Sequence, residues 1–156
     1  MRYRLDREQQ LNCDIEKVWE FFSSPMNLSK ITPPDMKFIV LSDLSDTPIY
    51  EGMEIDYLVS PLLGISVKWK TKITQVSFQR SFADFQSKGP YKYWHHFHEF
   101  IPNEKGVLMK DRIDYELPMG FLGRLAHGLF VHKRLNQIFD FRYSFLETYF
   151  NEKKII

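Results

Sequence analysis

The sequence predicts an α+β fold, in which a curved antiparallel sheet of about seven strands wraps around a long C-terminal α-helix. Two observations carry this prediction. Apolar residues recur at every second position through much of residues 36–117, which is the period of a half-buried strand. Over roughly the last forty residues the spacing changes to the three- and four-residue intervals of an amphipathic helix. A helix of this kind must bury its apolar face, and the concave face of a curved sheet offers the surface.

The N-terminal region is predicted to form one strand followed by two short helices. Residues 3–11 begin with alternating apolar and charged side chains, which favours a strand. Asp14 marks the start of a helix, since an acidic side chain is favourable near the positive helix end. Apolar residues then recur at helical spacing at Ile15, Val18, Trp19 and Phe22. Residues 26–31 predict a second short helix, which ends before Pro33 because proline disfavours helical conformation in its predecessor.

The middle of the chain is predicted to form the rest of the sheet. The predicted strands cover residues 36–42, 53–59, 65–74, 82–87, 93–101 and 107–117. Turn residues separate several of them, at 61–64, 89–90 and 103–106. The clearest alternation lies in residues 65–74, where Lys68, Lys70 and Lys72 share the face opposite the apolar residues. This lysine row is either a solvated face or a surface for an acidic partner.

Length, charge and cysteine content exclude several classes of protein. The 156 residues suit a single domain, 1–156. A formal net charge of +1 argues against a dedicated nucleic-acid binder. We expect no signal peptide from the charged residues 1–10, and no stretch approaches the roughly 18 apolar residues of a membrane span. The lone cysteine, Cys13, cannot form an internal disulfide, so we expect a cytoplasmic protein.

Aromatic residues are frequent in this chain. The 14 Phe, 8 Tyr and 3 Trp make up 16% of the sequence, roughly twice an average soluble composition. This amount of aromatic surface has to pack against something. Either an ordinary hydrophobic core or the wall of an internal cavity accounts for it.

Three neighbouring predicted strands carry polar side chains on faces that are otherwise apolar. Side chains alternate between the two faces of a strand, so each face is a set of alternate residues. These sets are Phe82, Asp84 and Gln86; Trp94, His96, His98 and Phe100; and Val107, Met109, Asp111, Ile113 and Tyr115. The apolar members predict that each set points inward. Two carboxylates, two imidazoles and one amide then converge in the interior.

Burying these polar groups without partners costs about 2 to 7 kcal/mol for each neutral group, and more for a charge. They must therefore bond to one another or line water. Three interpretations remain open: a structural network, a polar floor that orients an apolar ligand, or a catalytic site. In the third, His96 or His98, held by Asp84 or Asp111, acts as a general base. The two histidines with Asp111 also resemble a metal-binding facial triad, but no further soft ligand accompanies them. We therefore predict no metal and no other cofactor.

A series of short motifs runs along the chain. It comprises Asp84-x-Gln86, Gly89-Pro90, Trp94-x-His96-x-His98-x-Phe100, the segment 111–115 and Leu117-Pro118. Together with residues 11–22, which lead from the first strand into the first helix, this series resembles the uncharacterised ligand-binding branch of the SRPBCC superfamily. That superfamily contains the START and Bet v 1-like helix-grip proteins, and the resemblance covers essentially the whole chain. It implies a helix-grip fold with a cavity for a small molecule between the sheet and the C-terminal helix.

The resulting functional prediction is a protein that binds a small hydrophobic or amphipathic ligand, without nucleic-acid binding or membrane insertion. The polar contacts are predicted to be Asp84, Gln86, His96, His98 and Asp111. The apolar walls are predicted to be Tyr57, Trp69, Phe82, Trp94, Phe100, Tyr115, Phe130 and Phe139. The alternative is a cyclase- or dehydratase-type enzyme, with His96, His98 and Asp111 as the catalytic candidates. A third possibility is an interaction module whose lysine row meets an acidic partner.

Overall fold

Seven antiparallel strands form one sheet in the computed structural model, which describes residues 1–44, 46–62 and 64–152, and of Leu62 only the backbone. The strands are β1 Arg2–Leu11, β2 Ile39–Val40, β3 Glu54–Leu62, β4 Ile65–Ser77, β5 Ser81–Lys88, β6 Tyr93–Asn103 and β7 Gly106–Glu116. Their order across the sheet is β1-β7-β6-β5-β4-β3-β2. The first strand therefore pairs with the last, and every other pair joins neighbours along the chain. The predicted α+β fold is confirmed.

The helices pack on one side of this sheet and at its ends. Helix α1 spans Ile15–Phe22, and two 3₁₀ turns follow at Pro25–Ser29 and Pro34–Met36. The C-terminal helix runs continuously over residues 120–151. It consists of α2 Gly120–Ala126, a π-helical turn His127–Val131, α3 His132–Leu146 and a second π-helical turn Glu147–Asn151. None of the described helices has the length and apolar character needed to cross a bilayer.

Two N-terminal elements differ in extent from the prediction. The second short helix, predicted over residues 26–31, is present as the 3₁₀ turn Pro25–Ser29. The strand predicted over residues 36–42 is reduced to Ile39–Val40. The cause is local, because Lys37 closes the preceding turn in the left-handed conformation, with φ 47°. Extended backbone that pairs with β3 therefore begins only after it.

The sheet bends because its register shifts on either side of β4. The β3–β4 ladder shifts between Val59 and Leu62, and the β4–β5 ladder shifts near Thr71 and again after Ile73. Such bulges increase the local twist of a strand. The curvature gives the sheet an inner face, on which the helices lie.

Two apolar clusters occupy this inner face. One gathers around α1 and includes Trp19, Phe22 and Phe100. The other lies under α3 and includes Trp94 and Phe139. A cavity lies between the two clusters and is lined by members of both. The polar side chains of Asp84 on β5 and of His96 and His98 on β6 also line it.

The C-terminal helix buries a different stripe from the one that its leucines predict. By their spacing Leu122, Leu125 and Leu129 fit the apolar face of the predicted amphipathic helix, but they are 57%, 51% and 58% exposed. The helix instead turns Gly123 toward the preceding segment, where a Cβ atom would lie 2.1 Å from the Pro118 carbonyl oxygen. This close approach fixes the rotation of the first turns and leaves the leucines outside. Further along, the buried positions are Val131, Leu135, Phe139, Arg142 and Leu146.

Candidate functional site

A cavity of about 190 Å³ lies between the sheet and α3. This volume is somewhat larger than the roughly 150 Å³ apolar cavity that holds benzene in an engineered protein. Its walls come from α1, the two 3₁₀ turns, strands β3 to β6 and helix α3. The α3 side is formed by Leu135, Ile138, Phe139 and Arg142. The lining is mainly apolar, with charged and imidazole groups gathered on β5, β6 and α3.

The predicted site residues divide between the cavity and its surroundings. Those that line the cavity are Tyr57, Trp69, Phe82, Asp84, Trp94, His96, His98 and Phe139. The others, Gln86, Phe100, Asp111, Tyr115 and Phe130, do not contribute to the lining. Strand alternation therefore places His96 and His98 on the cavity, as predicted. The residues outside the lining are held elsewhere by contacts with their neighbours.

Gln86 and Phe100 are both buried but serve the structure around the cavity. The Gln86 amide donates to the Tyr91 carbonyl oxygen at 2.8 Å, and its own oxygen accepts from the Tyr91 N–H at 3.2 Å. Gly89 permits this arrangement, since a Cβ there would lie 2.4 Å from Gln86 Oε1. Phe100 packs under α1, against Phe22 at a ring distance of 5.3 Å. Both side chains therefore lie outside the cavity lining, and a ligand contact at either of them stays a prediction.

Tyr115 and Phe130 are also displaced from the predicted cavity wall. The Tyr115 hydroxyl lies 2.8 Å from His127 Nε2, so the side chain faces the start of the C-terminal helix. Phe130 is 59% exposed. The next residue, Val131, takes the buried position, and a neighbouring side chain projects about 100° around the helix from it. Phe130 therefore points to solvent.

Two histidines and two aspartates form a crossed set of contacts at the polar end of the cavity. In the strand register, Asp84 stands opposite His96, and Asp111 stands opposite His98. Two short contacts run along the diagonals: His98 Nε2 lies 2.9 Å from Asp84 Oδ2, and His96 Nε2 lies 2.9 Å from Asp111 Oδ1. A third runs straight across the ladder, because His98 Nδ1 lies 3.0 Å from Asp111 Oδ1. Three strands are thereby joined through side chains as well as through their backbones.

Ring packing holds the two imidazoles in place. The ring centroids of His96 and His98 are 3.7 Å apart, since alternate residues of a strand lie on the same face. Phe82 stacks on the far side of His98 at 4.0 Å. Phe139 meets His96 edge-on at 5.7 Å. Neither imidazole can turn without disturbing an aromatic neighbour.

Arg142 of α3 completes the cluster and is absent from the predicted site. It is 6% exposed, and its Nη2 donates to Asp111 Oδ1 at 3.3 Å. The guanidinium also lies over the rings of Phe22 and Phe139, at 5.4 and 5.7 Å. A sequence signal for it exists, because position 142 falls three residues after Phe139 and four before Leu146. An arginine in that stripe is a charge at a core position, which needs an interior partner.

Comparisons with known proteins give matches at the level of structure. No family model and no curated protein matches the sequence. A protein from Chromobacterium violaceum aligns with TM-score 0.69 and 11% identity, over 96% of this chain and 99% of that one. A norcoclaurine synthase point mutant from Thalictrum, in complex with a transition-state analogue, aligns with TM-score 0.65 and 14% identity, over 96% of each chain. Ara h 8.0201 aligns with TM-score 0.62 and 11% identity, over 96% of this chain and 97% of that one.

The chain has a Bet v 1-like fold. The predicted resemblance is thereby confirmed for the fold, which at these identities is what the likeness shows. Different members of a shared fold carry different activities. The chemistry available to this chain therefore has to be derived from its own cavity.

The two histidines of this Bet v 1-like fold differ in their affinity for a proton. Burial and the neighbouring His98 charge lower the pKa of His96 to about 4, against the opposing effect of Asp111. Burial also acts to lower the pKa of His98, but Asp111 and Asp84 outweigh it, so this pKa is raised above its ordinary value. When one proton is shared between the two rings, it therefore resides on His98.

Both aspartates are ionised. Burial acts to raise the pKa of Asp111, but the charge of Arg142 and the contacts to both histidines hold it well below its ordinary value. For Asp84, burial is likewise outweighed by the hydrogen bond from His98 and the charge of His96, which lower its pKa. Two carboxylates are thus balanced by Arg142 and, below the raised pKa of His98, by its imidazolium.

Neutral His96 presents a free nitrogen. Its Nε2–H donates to Asp111, so Nδ1 carries a lone pair. This Nδ1 lies 3.9 Å from Asp84 Oδ2 and makes no hydrogen bond within the described part of the chain. Because His96 lines the cavity, an unpaired proton acceptor faces the space where a guest would lie.

Asp84, His96 and His98 are also the residues best placed to hold a metal ion. One ligand atom from each lies within 4.8 Å of the others. However, both Nε2 atoms already bond to carboxylates, and Arg142 brings a positive charge to Asp111. A divalent cation would have to displace the His98 proton and its bond to Asp84. The donor set therefore favours a proton over a metal, and the absence of a metal stays a prediction.

Proposed function

We propose that the protein binds a small, mainly apolar molecule with one hydrogen-bonding end in the cavity between the sheet and α3. The observation that carries this proposal is one space with a mainly apolar lining and a polar floor of Asp84, His96 and His98. Apolar burial supplies about 25 cal/mol of affinity for each Å² removed from water. A few fixed polar groups then orient the guest.

The polar floor favours a guest that donates a hydrogen bond. The Asp84 side chain keeps 17% exposure, whereas that of Asp111 keeps 1%. Asp84 therefore offers a carboxylate oxygen to the cavity, and Nδ1 of His96 offers a lone pair beside it. Both groups are acceptors. A phenol, an alcohol or an amine on an apolar body matches them, whereas a second carboxylate would be repelled by Asp84.

The unit that binds is proposed to be a single domain over residues 1–156. Strand β1 pairs with β7 from Arg2 to Leu11, and Gln9 donates to the Tyr143 carbonyl oxygen at 2.9 Å. The first and last parts of the described chain are thus held together around the cavity. The cytoplasm remains the proposed compartment, on the basis of the lone and partly buried Cys13. Nucleic acid is not among the proposed partners.

Titration with N-phenyl-1-naphthylamine tests the proposal, because this uncharged fluorescent probe carries one N–H donor. We expect saturable binding, with displacement by small phenols. Val59→Phe puts a ring into the cavity and should abolish binding, since Val59 is 3% exposed and lines it. Val76→Phe is the matched control, because Val76 is partly buried on β4 but is not part of the lining.

Thermal melting of both variants separates a filled cavity from an unfolded protein. If the wild type shows no saturable probe binding, cavity binding is refuted. The same holds if two folded variants bind the probe equally well. Native mass spectrometry of freshly purified protein is a second readout, in which a bound small molecule is expected as a defined mass increment.

A second candidate function is proton abstraction by His96. The observation that favours it is the neutral ring of His96, which Asp111 holds at Nε2 while Nδ1 faces the cavity. A general base needs a free lone pair and a fixed orientation within reach of the substrate. His98, with its raised pKa, is the acid beside it. A cyclase- or dehydratase-type reaction begins with such a transfer.

Deuterium exchange into 2-tetralone tests this second candidate. His96 Nδ1 would take an α-proton, the electrons of the C–H bond would form the enolate, and a deuteron from solvent would return to carbon. NMR should then show exchange above the buffer rate for the wild type but not for His96→Gln. His96→Gln must still bind the naphthylamine probe, so that a loss of exchange is not a loss of binding. Exchange at the buffer rate in wild-type protein refutes proton abstraction while leaving the binding proposal standing.

A further inference from the structure

The beginning of the C-terminal helix exposes a large apolar surface. Its members, called the apolar helix face from here on, are Met119, Phe121, Leu122, Leu125, Leu129 and Phe130, and each is 51–72% exposed. Scattered exposed hydrophobic residues are normal, but six within twelve residues form a continuous surface. Surfaces of this kind mark a site of interaction with a protein or a membrane.

This face takes no part in the core or in the cavity. The buried positions of these turns are Gly123 and Val131, on the other side of the helix. The cavity wall begins at Leu135, about 7–8 Å further along the helix axis from Phe130 at 1.5 Å per residue. The proposed ligand binding therefore leaves the apolar helix face without a role.

The helix segment that carries this face has charged residues of one sign, and the neighbouring Glu116 is already paired with Lys92 at 2.8 Å. Residues 117–139 contain Arg124, Lys133 and Arg134 but no aspartate or glutamate. Arg134 is engaged, because it donates to Asp35 at 2.7 Å. Arg124 and Lys133 are exposed and form no ion pair with other residues of the described ranges. The apolar helix face is thus flanked by two uncompensated positive charges.

We propose that the apolar helix face docks on the surface of an anionic lipid bilayer. An apolar helix face with basic residues beside it lies in the plane of a membrane, with its apolar side chains among the acyl-chain ends. Arg124 and Lys133 then meet lipid phosphates, and each basic residue strengthens binding to an anionic surface. The helix lies on the bilayer and does not cross it. Docking would bring the cavity wall to an interface where apolar molecules are dissolved.

A second copy of the chain fits this face less well. In a two-fold symmetric dimer the same patch meets itself, so a residue i of one copy contacts a residue j of the other, and j contacts i. The interface would then gather the positive charges of Arg124 and Lys133 from both copies. No acidic residue of the segment 117–139 is present to balance them. An anionic surface supplies that balance directly.

Vesicle co-sedimentation tests the docking. We expect the protein to sediment with vesicles of phosphatidylcholine mixed with phosphatidylglycerol, more weakly with phosphatidylcholine alone, and less as salt is added. The double variant Phe121→Ser/Leu125→Ser should lose this binding but keep its melting temperature, because the two side chains are 68% and 51% exposed. Tyr50→Ser is the matched control, since Tyr50 is 56% exposed. Tyr50 is also remote from the apolar helix face. It lies just before the first residue of β3, whereas the C-terminal helix contacts the last residues of that strand, through the bond from Arg134 to the Pro61 carbonyl oxygen.

The charge contribution is tested separately with Arg124→Gln and Lys133→Gln. Each substitution should lower the partition coefficient on the anionic vesicles about fivefold, the equivalent of one basic residue at such a surface. Partition onto phosphatidylcholine alone should not change. A smaller effect on anionic than on neutral vesicles would contradict the charge argument.

Three results overturn the proposal. The first is the absence of sedimentation with anionic vesicles. The second is binding that survives Phe121→Ser/Leu125→Ser unchanged. The third is a dimer in light scattering that this double variant converts to a monomer, without vesicle binding by either protein, which assigns the face to a second copy. Probe binding in the cavity is measured without vesicles, so failure of docking is distinguishable from failure of the ligand proposal.

Discussion

Nε2 of His96 lies 2.9 Å from Oδ1 of Asp111, although the residue that faces Asp111 across the β6–β7 ladder is His98. His98 bonds Asp84 on the other neighbouring strand through Nε2, while its Nδ1 lies 3.0 Å from Asp111 Oδ1. Asp111 therefore contacts both imidazoles, and Asp84 bonds one. The pKa of His96 is lowered and that of His98 is raised, and this difference leads to testable consequences for stability.

Removing Arg142 should destabilise the fold strongly. Arg142→Met leaves the buried Asp111 carboxylate without its cation, and breaking a buried pair in this way costs about 3 to 5 kcal/mol. Urea unfolding measures the free energy of unfolding. Arg112→Met is the control, because Arg112 pairs with Asp6 at the surface and should leave the unfolding midpoint nearly unchanged. A loss no larger than that of the control would show that Arg142 does not stabilise Asp111.

Adding Asp111→Asn to Arg142→Met should recover part of that loss. The double variant no longer buries an unpaired charge, so the two substitutions should be non-additive by about 0.5 to 3 kcal/mol. The coupling is obtained from the four free energies of unfolding of the cycle. Additive effects would mean that the 3.3 Å contact carries no energy.

The fold was predictable because strand alternation tolerates little ambiguity. A shift of one residue would move Trp94, His96 and Phe100 to the wet face of the sheet, so the pattern fixes which side of β6 is inward. The same rule placed both histidines on the cavity. Sequence alternation does not say how far a side chain reaches from its strand, and for this reason it could not tell that Gln86 turns back to the Tyr91 backbone.

The helix was less predictable, for a physical reason. Its length and position follow from periodicity, but its rotation is set by the close approach of Gly123 to Pro118. Leu122, Leu125 and Leu129 share one face of the first turns, so periodicity predicts burial of the face that lies outside. Further along, Arg142 occupies a core position that a search for apolar residues passes over. Its partner, Asp111, was predicted to be a charge on an otherwise apolar face of β7. Each of these two buried charges is compensated by the other.

Stability should depend on His96 in the acidic range. The pKa of His96 is lowered from 6.5 to about 4, so its neutral form favours the folded state above pH 6.5, and this contribution is lost as the pH falls toward 4. The loss is on the order of 3 kcal/mol at 1.36 kcal/mol per unit. His96→Gln cannot be protonated, so its free energy of unfolding should fall less steeply than that of the wild type over this interval. Parallel curves would exclude a buried neutral His96.

The contribution of His98 should have the opposite sign. Because its pKa is raised in the folded protein, protonated His98 stabilises the fold below its ordinary pKa of 6.5, and this stabilisation is lost as the pH rises through the raised value. The wild type should therefore exceed His98→Gln in stability most clearly on the acidic side of that transition. NMR titration of the ring protons gives the direct readout. A His98 that titrates below His96 would invert the proton assignment.

Removing the Tyr115 hydroxyl should loosen the start of the C-terminal helix with little effect on the cavity. Tyr115→Phe deletes the 2.8 Å contact to His127 Nε2, and a net hydrogen bond of this kind contributes about 0.5 to 1.5 kcal/mol. The ring itself remains packed against Tyr3 at 5.6 Å. Hydrogen exchange should rise at residues 120–131, while affinity for the naphthylamine probe stays unchanged. A loss of probe binding would instead place Tyr115 among the ligand contacts.

Shortening Phe139 should change which guests the cavity accepts. Phe139 is 6% exposed and lines the cavity, so Phe139→Ala enlarges the space and destabilises the protein by about 3 to 5 kcal/mol. Among 4-alkylphenols, whose hydroxyl suits Asp84 and His96, the best guest for the variant should have a longer alkyl chain than the best guest for the wild type. Phe100→Ala is the control, because Phe100 is 2% exposed but lies outside the cavity. Phe100→Ala should lose comparable stability while preferring the same alkyl-chain length as the wild type. If both variants shift to longer alkyl chains, the lower stability of the protein, and not the cavity volume, determines which guest is preferred.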